Sequence, residues 1–81
     1  NSVLYADENN PMEIGSNIPG NIIKILVKEG DKVEANQPIA TIEAMKMETS
    51  VTARMDGIVD EVLVQEGDNV KAGELMIKLK L

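Results

Sequence analysis

The residues with the clearest chemical potential are a lysine and the methionines on either side of it, Met45, Lys46 and Met47. A lysine side chain ends in a primary amine, which can be acylated to an amide and thereby lose its charge. Methionine side chains are apolar and flexible, which suits a surface that several partner proteins must contact. The alternative interpretation is a solvated lysine between two methionines that fill the core.

The residues around Lys46 predict a chain reversal. Strand-like residues precede it at 39–42 and follow it at 50–53. Tight hairpin turns favour Asn-Gly or Asp-Gly, which accept a positive φ easily, so Met45-Lys46 is poor turn chemistry. Such violations of a local rule tend to occur at functional sites. We therefore predict that Lys46 is presented at the tip of a hairpin.

An internal repeat surrounds this segment. A shift of 37 residues places Gly20 on Gly57 and carries the match through both halves. The other matched pairs are Ile22 with Val59, Ile25 with Val62, Leu26 with Leu63, Val27 with Val64, Glu29-Gly30-Asp31 with Glu66-Gly67-Asp68, Val33 with Val70, Ala35 with Ala72, Ile39 with Met76 and Ile42 with Leu79. Neither half can bury its apolar face alone, so we expect the two to pack about a pseudo-twofold axis.

Both halves predict short strands rather than helices. Apolar residues recur at two-residue spacing, and Gly-Asp interrupts them where a turn needs a positive φ. The three-residue step from Ile22 to Ile25, repeated from Val59 to Val62, predicts a β-bulge in each half. The predicted fold class is all-β, a flattened β-barrel or sandwich of two small antiparallel sheets. We expect an ordered domain over residues 13–81, with residues 1–12 as a linker or loosely ordered tail.

Composition and charge narrow the function classes. The 81 residues include one Tyr and neither Phe nor Trp, so the core must be aliphatic. The net charge of −6 argues against nucleic acid, which is bound through Lys and Arg. Because the chain lacks Cys and His and has no evident pair of carboxylates for acid–base work, we expect neither a metal site nor catalysis by the chain itself. No apolar run is long enough for a spanning helix, so no membrane partner is expected.

The tetrapeptide 44–47, at the junction of two similar β halves, resembles the attachment motif of the biotinyl domain, or biotin carboxyl carrier domain, of biotin-dependent carboxylases. The flanking Glu43 and Glu48 and the glycine turns of both halves add to the resemblance, which covers residues 15–81. It implies the barrel-sandwich hybrid fold that biotinyl and lipoyl domains share. It also implies covalent biotin on Lys46, and recognition by the ligase and partner domains through Glu43, Ala44, Met45 and Met47.

For function, the resemblance implies a carrier that shuttles a carboxyl group between a biotin carboxylase site and a carboxyltransferase site, after biotin protein ligase has attached the cofactor. The chain has no initiator Met, and we expect it to be part of a longer polypeptide. Residues 10–20 resemble the start of the carrier domain of pyruvate carboxylases, so pyruvate is the expected acceptor. The expected compartment is the cytoplasm, or the mitochondrial matrix in a eukaryote.

Other roles remain as alternatives. Lipoyl domains of 2-oxo acid dehydrogenases usually have Asp before the lysine and Ala after it, where this chain has Met45 and Met47. Asn17-Ile18 stands where a Pro-Met pair is common, which leaves carriers of acyl-CoA carboxylases or of oxaloacetate decarboxylase open. In an unmodified structural module, Lys46 would be incidental.

Overall fold

The computed structural model describes residues 3–81, and within that range all regular secondary structure is β. The strands are β1 (Glu13–Gly15), β2 (Gly20–Ile25), β3 (Lys32–Val33), β4 (Pro38–Ala44), β5 (Met47–Thr52), β6 (Gly57–Val62), β7 (Asn69–Val70) and β8 (Leu75–Lys80). They are short because β-branched runs alternate with Gly, Asn and Asp, which are depleted in strands. The predicted all-β class is confirmed.

Two antiparallel sheets of four strands make up the domain, in the orders β1-β8-β6-β3 and β5-β4-β2-β7. The smallest strands are exchanged between the halves of the sequence. Strand β3 of the first half pairs with β6 of the second, and β7 of the second half pairs with β2 of the first. Neither half can complete a sheet without the other, so the two halves pack together as expected, with an exchange of strands that the sequence did not predict.

The repeat extends to individual hydrogen bonds in the two Gly-Asp turns. Gly30 and Gly67 have φ angles of 92° and 95°. The side chains of Asp31 and Asp68 each accept a hydrogen bond from the backbone amide three residues earlier, at 3.0 and 2.9 Å. The same turn is therefore built twice, with glycine where the backbone needs a positive φ.

Both predicted bulges are present. The register between β2 and β4 shifts between Ile22 and Lys24, and the register between β6 and β8 shifts between Val59 and Glu61. A bulge bends its strand and increases the local twist. The two sheets therefore bend at equivalent positions.

The core lies between the sheets and is aliphatic, as the composition predicts. Its fully buried members include Ile39 and Ile42 from β4 and Met76 and Ile77 from β8, each with 0% of its surface exposed. Met76 occupies the position of Ile39 in the other half. The flexible side chain of Met76 therefore fills in the second half the space that the branched side chain of Ile39 fills in the first.

The N-terminal segment is hydrogen-bonded to the sheet that contains β8. The amide of Ala6 donates to the carbonyl of Gly73 at 2.9 Å, and the amide of Leu75 donates to the carbonyl of Leu4 at 2.8 Å. Residues 1 and 2 of the predicted tail lie outside the described residues. The boundary at residue 13 stays a prediction, while residues 4–6 contact the domain through their backbone.

Replacing a fully buried side chain tests the location of the core. Ile77→Ala is expected to lower the free energy of unfolding by about 2–5 kcal/mol, because the sheets refill the resulting cavity only in part. Urea denaturation followed by circular dichroism measures this. Leu63, with 39% of its surface exposed, supplies the control: Leu63→Ala should cost about 1 kcal/mol or less. Equal losses in the two variants would contradict the assignment.

Candidate functional site

Lys46 lies at the tip of the β4–β5 hairpin. Ala44 pairs with Met47, so Met45 and Lys46 alone form the connection. Their φ angles are 53° and 68°. Two consecutive positive φ angles in a two-residue loop are the pattern of a type I′ turn. The chain reversal predicted from the sequence is confirmed.

The turn holds two residues in a conformation that neither favours. A residue with a Cβ atom pays roughly 1–2 kcal/mol to adopt the left-handed region, whereas Asn and Gly adopt it with little cost. The paired strands on either side must offset this cost. They are in register from Ala40 with Val51 to Ala44 with Met47, and Ile42 anchors the hairpin in the core.

The side chains at the tip are open to solvent. Met45 has 94% of its surface exposed and Met47 has 72%, so neither fills the core, which was the alternative interpretation. Lys46 is also exposed. Within residues 3–81 its amine has no ion-pair partner, in contrast to Lys78 and Lys80, which pair with carboxylates at 3.9 and 3.7 Å. The geometry therefore leaves a primary amine available for acylation.

A row of polar side chains crosses the sheet just below the tip. Glu43 on β4 pairs with Glu48 on β5 and with Asn21 on β2, and Asn21 pairs with Asn69 on β7. All four are exposed. Residues directly opposite each other project from the same face, and two like charges in that arrangement are destabilising. The pairing of Glu43 with Glu48, just below Lys46, therefore does not stabilise the fold.

Gly20 touches the base of the hairpin. A Cβ atom at this position would lie 2.5 Å from the carbonyl oxygen of Glu43, 2.8 Å from Ile42 and 3.2 Å from Ala44. Its counterpart in the repeat, Gly57, is less crowded, with the nearest atom at 3.0 Å. Close packing at Gly20 positions the end of β4 from which the tip projects. The sequence placed Gly20 in the repeat but contained no signal for this contact.

The loop before Gly20 forms the other wall of the site. Ile18 and Pro19 line a shallow apolar groove with Ala44, Met45 and Met47. The buried hydroxyl of Ser16 donates a hydrogen bond to the carbonyl of Ile18 and helps to shape this loop. The predicted site residues are thus brought together at one end of the domain, and Ile18, Pro19 and Gly20 join them only through the fold.

The described residues form neither a metal-binding cluster nor a membrane-spanning helix. Among residues 3–81, no group of three or more Asp, Glu, His or Cys side chains is placed to hold a metal ion. The same part of the chain contains no helix of the length and apolarity needed to span a membrane. The chemistry that this end of the domain offers is that of one accessible amine.

Comparisons with known sequences agree with this chemistry. The family model described as "Biotin-requiring enzyme" matches residues 9–79. A pyruvate carboxylase of Staphylococcus aureus is 43% identical over 75 residues, which are 93% of this chain and 6% of that protein. A biotin carboxyl carrier protein of Streptococcus mutans is 45% identical over 62 residues, which are 76% of this chain and 48% of the carrier. The chain therefore spans a small part of the carboxylase it matches and about half of the carrier.

Solved structures with the same fold include a carboxylase and a lipoyl domain. The complete pyruvate carboxylase from Rhizobium etli matches with a TM-score of 0.79 and 31% identity, over 95% of this chain and 7% of that one. The lipoyl domain of the 2-oxoglutarate dehydrogenase complex from Azotobacter vinelandii matches with a TM-score of 0.65 and 35% identity, over 78% of this chain and 80% of that one.

The twin glycines allow a matched test of the packing under the tip. Gly20→Ala is expected to lower the free energy of unfolding by about 1–3 kcal/mol, because the added methyl group overlaps backbone atoms of β4. Gly57→Ala should cost less, because its neighbours need to move only slightly. Chemical denaturation compares the two variants, and the amide resonances of Glu43 and Ala44 should move only in Gly20→Ala. A greater loss in Gly57→Ala would refute this account.

The strain of the turn can be relieved by substitution. The double variant Met45→Asn and Lys46→Gly is expected to raise the free energy of unfolding by about 1–3 kcal/mol, since both new residues favour a positive φ. Lys24→Gly, within β2, is the control and should lower it by about 0.5–1 kcal/mol. Thermal and urea denaturation measure both changes. A double variant no more stable than the parent would mean that the turn is unstrained.

Proposed function

We propose that Lys46 is the biotin attachment site of this chain, which belongs to the family of biotin-requiring enzymes. The chain is a biotin carboxyl carrier domain, and biotin is its covalent cofactor. The observation that carries the assignment to Lys46 is its place at the tip of a strained hairpin, exposed and without an ion-pair partner within residues 3–81. The sequence motif around it supports the same residue.

The residues at the tip fit a long group joined through an amide. Acylation removes the charge of Lys46, and this charge takes part in no ion pair of the described chain, so no stabilising contact is lost. Met45, Lys46 and Met47 all face solvent, which leaves room for the attached group to extend. Biotin, when bound, supplies a ureido nitrogen that can accept and release a carboxyl group.

The contribution of the chain itself is position. The two sheets hold the hairpin rigid, and the turn keeps Lys46 away from the core. A tethered group meets its reaction partners at an effective concentration set by the tether rather than by diffusion through bulk solvent. We infer that the chain catalyses neither loading nor delivery of the carboxyl group, and that both steps occur in other domains of the parent enzyme.

For the parent enzyme we propose a multidomain carboxylase that forms a carbon–carbon bond, with pyruvate as the acceptor. Support comes from the identity with a pyruvate carboxylase of which this chain covers only 6%. The partners would then be a biotin carboxylase domain, a carboxyltransferase domain and biotin protein ligase. The proposed compartment is the cytoplasm, or the mitochondrial matrix in a eukaryote.

We assign recognition by these partners to Glu43, Ala44, Met45 and Met47. The two methionines offer apolar, adaptable surface directly beside the amine. Glu43 faces Glu48 across the hairpin, and this pair of like charges would be relieved by a basic surface on a partner. Ala44 is half-buried and allows the apolar groove to reach the tip.

A lipoyl carrier is the second candidate. The likeness in fold to the lipoyl domain from Azotobacter vinelandii favours it. The methionines at 45 and 47 stand where lipoyl domains usually have Asp and Ala, which is why we prefer biotin. The two cofactors differ in mass, so the modified chain distinguishes them directly.

Substitution of the lysine tests the proposal. After incubation with biotin protein ligase, ATP and biotin, the chain should gain the mass of one biotin less one water, with the label on Lys46. Lys46→Arg should gain nothing, because its guanidinium does not form the amide. Lys24→Arg and Lys71→Arg, which keep the hairpin intact, should be labelled like the parent. A label on Lys24, Lys28 or Lys71, or incorporation of lipoate in place of biotin, would refute the assignment.

A further inference from the structure

Among residues 3–81, the exposed thioethers occur only on the two sides of Lys46. Met45 and Met47 have 94% and 72% of their surface exposed, whereas Met76 has 0%. Met12 and Met55 are partly buried against the core. Because the chain has no cysteine, methionine supplies all of its sulfur. The sulfur atoms that an oxidant can reach are therefore concentrated at the attachment site.

The choice of methionine at these positions is not general to the exposed surface. The other large apolar residues exposed within residues 3–81 contain no sulfur: Leu4, Tyr5, Leu26, Leu63 and Leu81. Leucine would offer a similar apolar volume at the tip. Thioethers thus coincide with the place where we propose that partners contact the chain.

We propose that Met45 and Met47 form an oxidation-sensitive pair, and that their conversion to sulfoxides by peroxide slows the acylation of Lys46. The inference rests on the proposed attachment of biotin to Lys46. It adds to that function a modification site and a chemical signal that acts on it.

The reaction at each methionine is a transfer of one oxygen atom. The sulfur attacks a peroxide oxygen, the O–O bond breaks, the S–O bond forms, and water leaves. The sulfur loses two electrons and the peroxide gains them. Sulfoxide reductases restore the thioether: two thiol groups are oxidised to a disulfide, and the oxygen leaves as water. The modification can therefore serve as a reversible signal.

Oxidation at the tip changes recognition without disturbing the fold. A sulfoxide is polar and must be desolvated wherever a partner buries it, whereas the thioether is not. The side chains of Met45 and Met47 lie outside the core, so their oxidation removes no core contact. Oxidation of Met76 would instead place an oxygen in the core.

The first experiment maps the order of oxidation in the chain before biotin is added. Samples taken during treatment with hydrogen peroxide are quenched with catalase, digested and analysed by mass spectrometry. Met45 and Met47 should be oxidised first, Met12 and Met55 later, and Met76 last. The melting temperature should not change while only the tip is oxidised. Oxidation of Met12 or Met55 as fast as the tip would overturn the proposal.

The second experiment measures the initial rate of biotin attachment to the tip-oxidised chain. We expect the rate to fall about tenfold. A polar group that is buried without a hydrogen-bond partner weakens the complex with the ligase, and a factor of ten corresponds to about 1.4 kcal/mol. Treatment with methionine sulfoxide reductases A and B and a thiol should restore the rate. An unchanged rate after complete oxidation of Met45 and Met47 would also overturn the proposal.

Variants separate the tip from the other methionines. In the double variant Met45→Leu and Met47→Leu, the ratio of the rates after and before peroxide should stay near one, whatever its untreated rate. Met55→Leu, the matched control, should lose as much rate as the parent. Equal inhibition of the double variant would locate the sensitive group elsewhere and refute the inference. Failure of the untreated parent to accept biotin on Lys46 would instead refute the proposed function.

Discussion

The site depends on a turn that is made from unsuitable residues. Met45 and Lys46 both have a positive φ, although each carries a side chain that disfavours it. The turn persists because the strands on either side are paired and Ile42 anchors them in the core. This pairing fixes the backbone conformation of the two residues between them. This constraint keeps the amine out of the core and in solvent. A turn of Asn-Gly would be easier to form and would carry no amine to acylate.

The rest of the domain is a body with internal symmetry, and the site is where that symmetry is broken. Asn21, Asn69 and Glu43 cross the sheet below the tip. The equivalent row in the other sheet consists of Lys32, Ile58 and Lys80. One fold thus presents an acidic, polar row beside the lysine and a basic one at the corresponding place in the other sheet. The two similar halves make the domain rigid, and a few side chains give the two sheets rows of different charge.

The function follows from this division of labour. A carrier needs no acid, base or metal of its own, and what it must provide is a rigid body, a presented amine and a surface that partners recognise. Gly20 serves the first need through its close contact with β4. In our proposal, the strained turn serves the second need and the exposed methionines serve the third. The exposure through which we propose that Met45 and Met47 are recognised also makes their sulfur atoms accessible to oxidants.

Much of this could be predicted from the sequence, because the signals are local or repeated. The two-residue spacing predicted strands, the three-residue steps after Ile22 and Val59 predicted both bulges, and the repeat predicted two similar halves packed against each other. The site was visible as poor turn chemistry between two strand-like runs. Each of these signals lies within a short stretch, where spacing and residue type decide the backbone conformation.

Other features were decided by the tertiary structure alone. The exchange of β3 and β7 between the halves, the row from Asn69 to Glu48, and the contact of Gly20 with Glu43 all join residues that are distant in sequence. Residues 4–6, which lack a strand pattern, are hydrogen-bonded to Gly73 and Leu75. Such contacts depend on which strands become neighbours and in what register. Side-chain spacing determines which face of a strand is buried, but not which strand lies beside it.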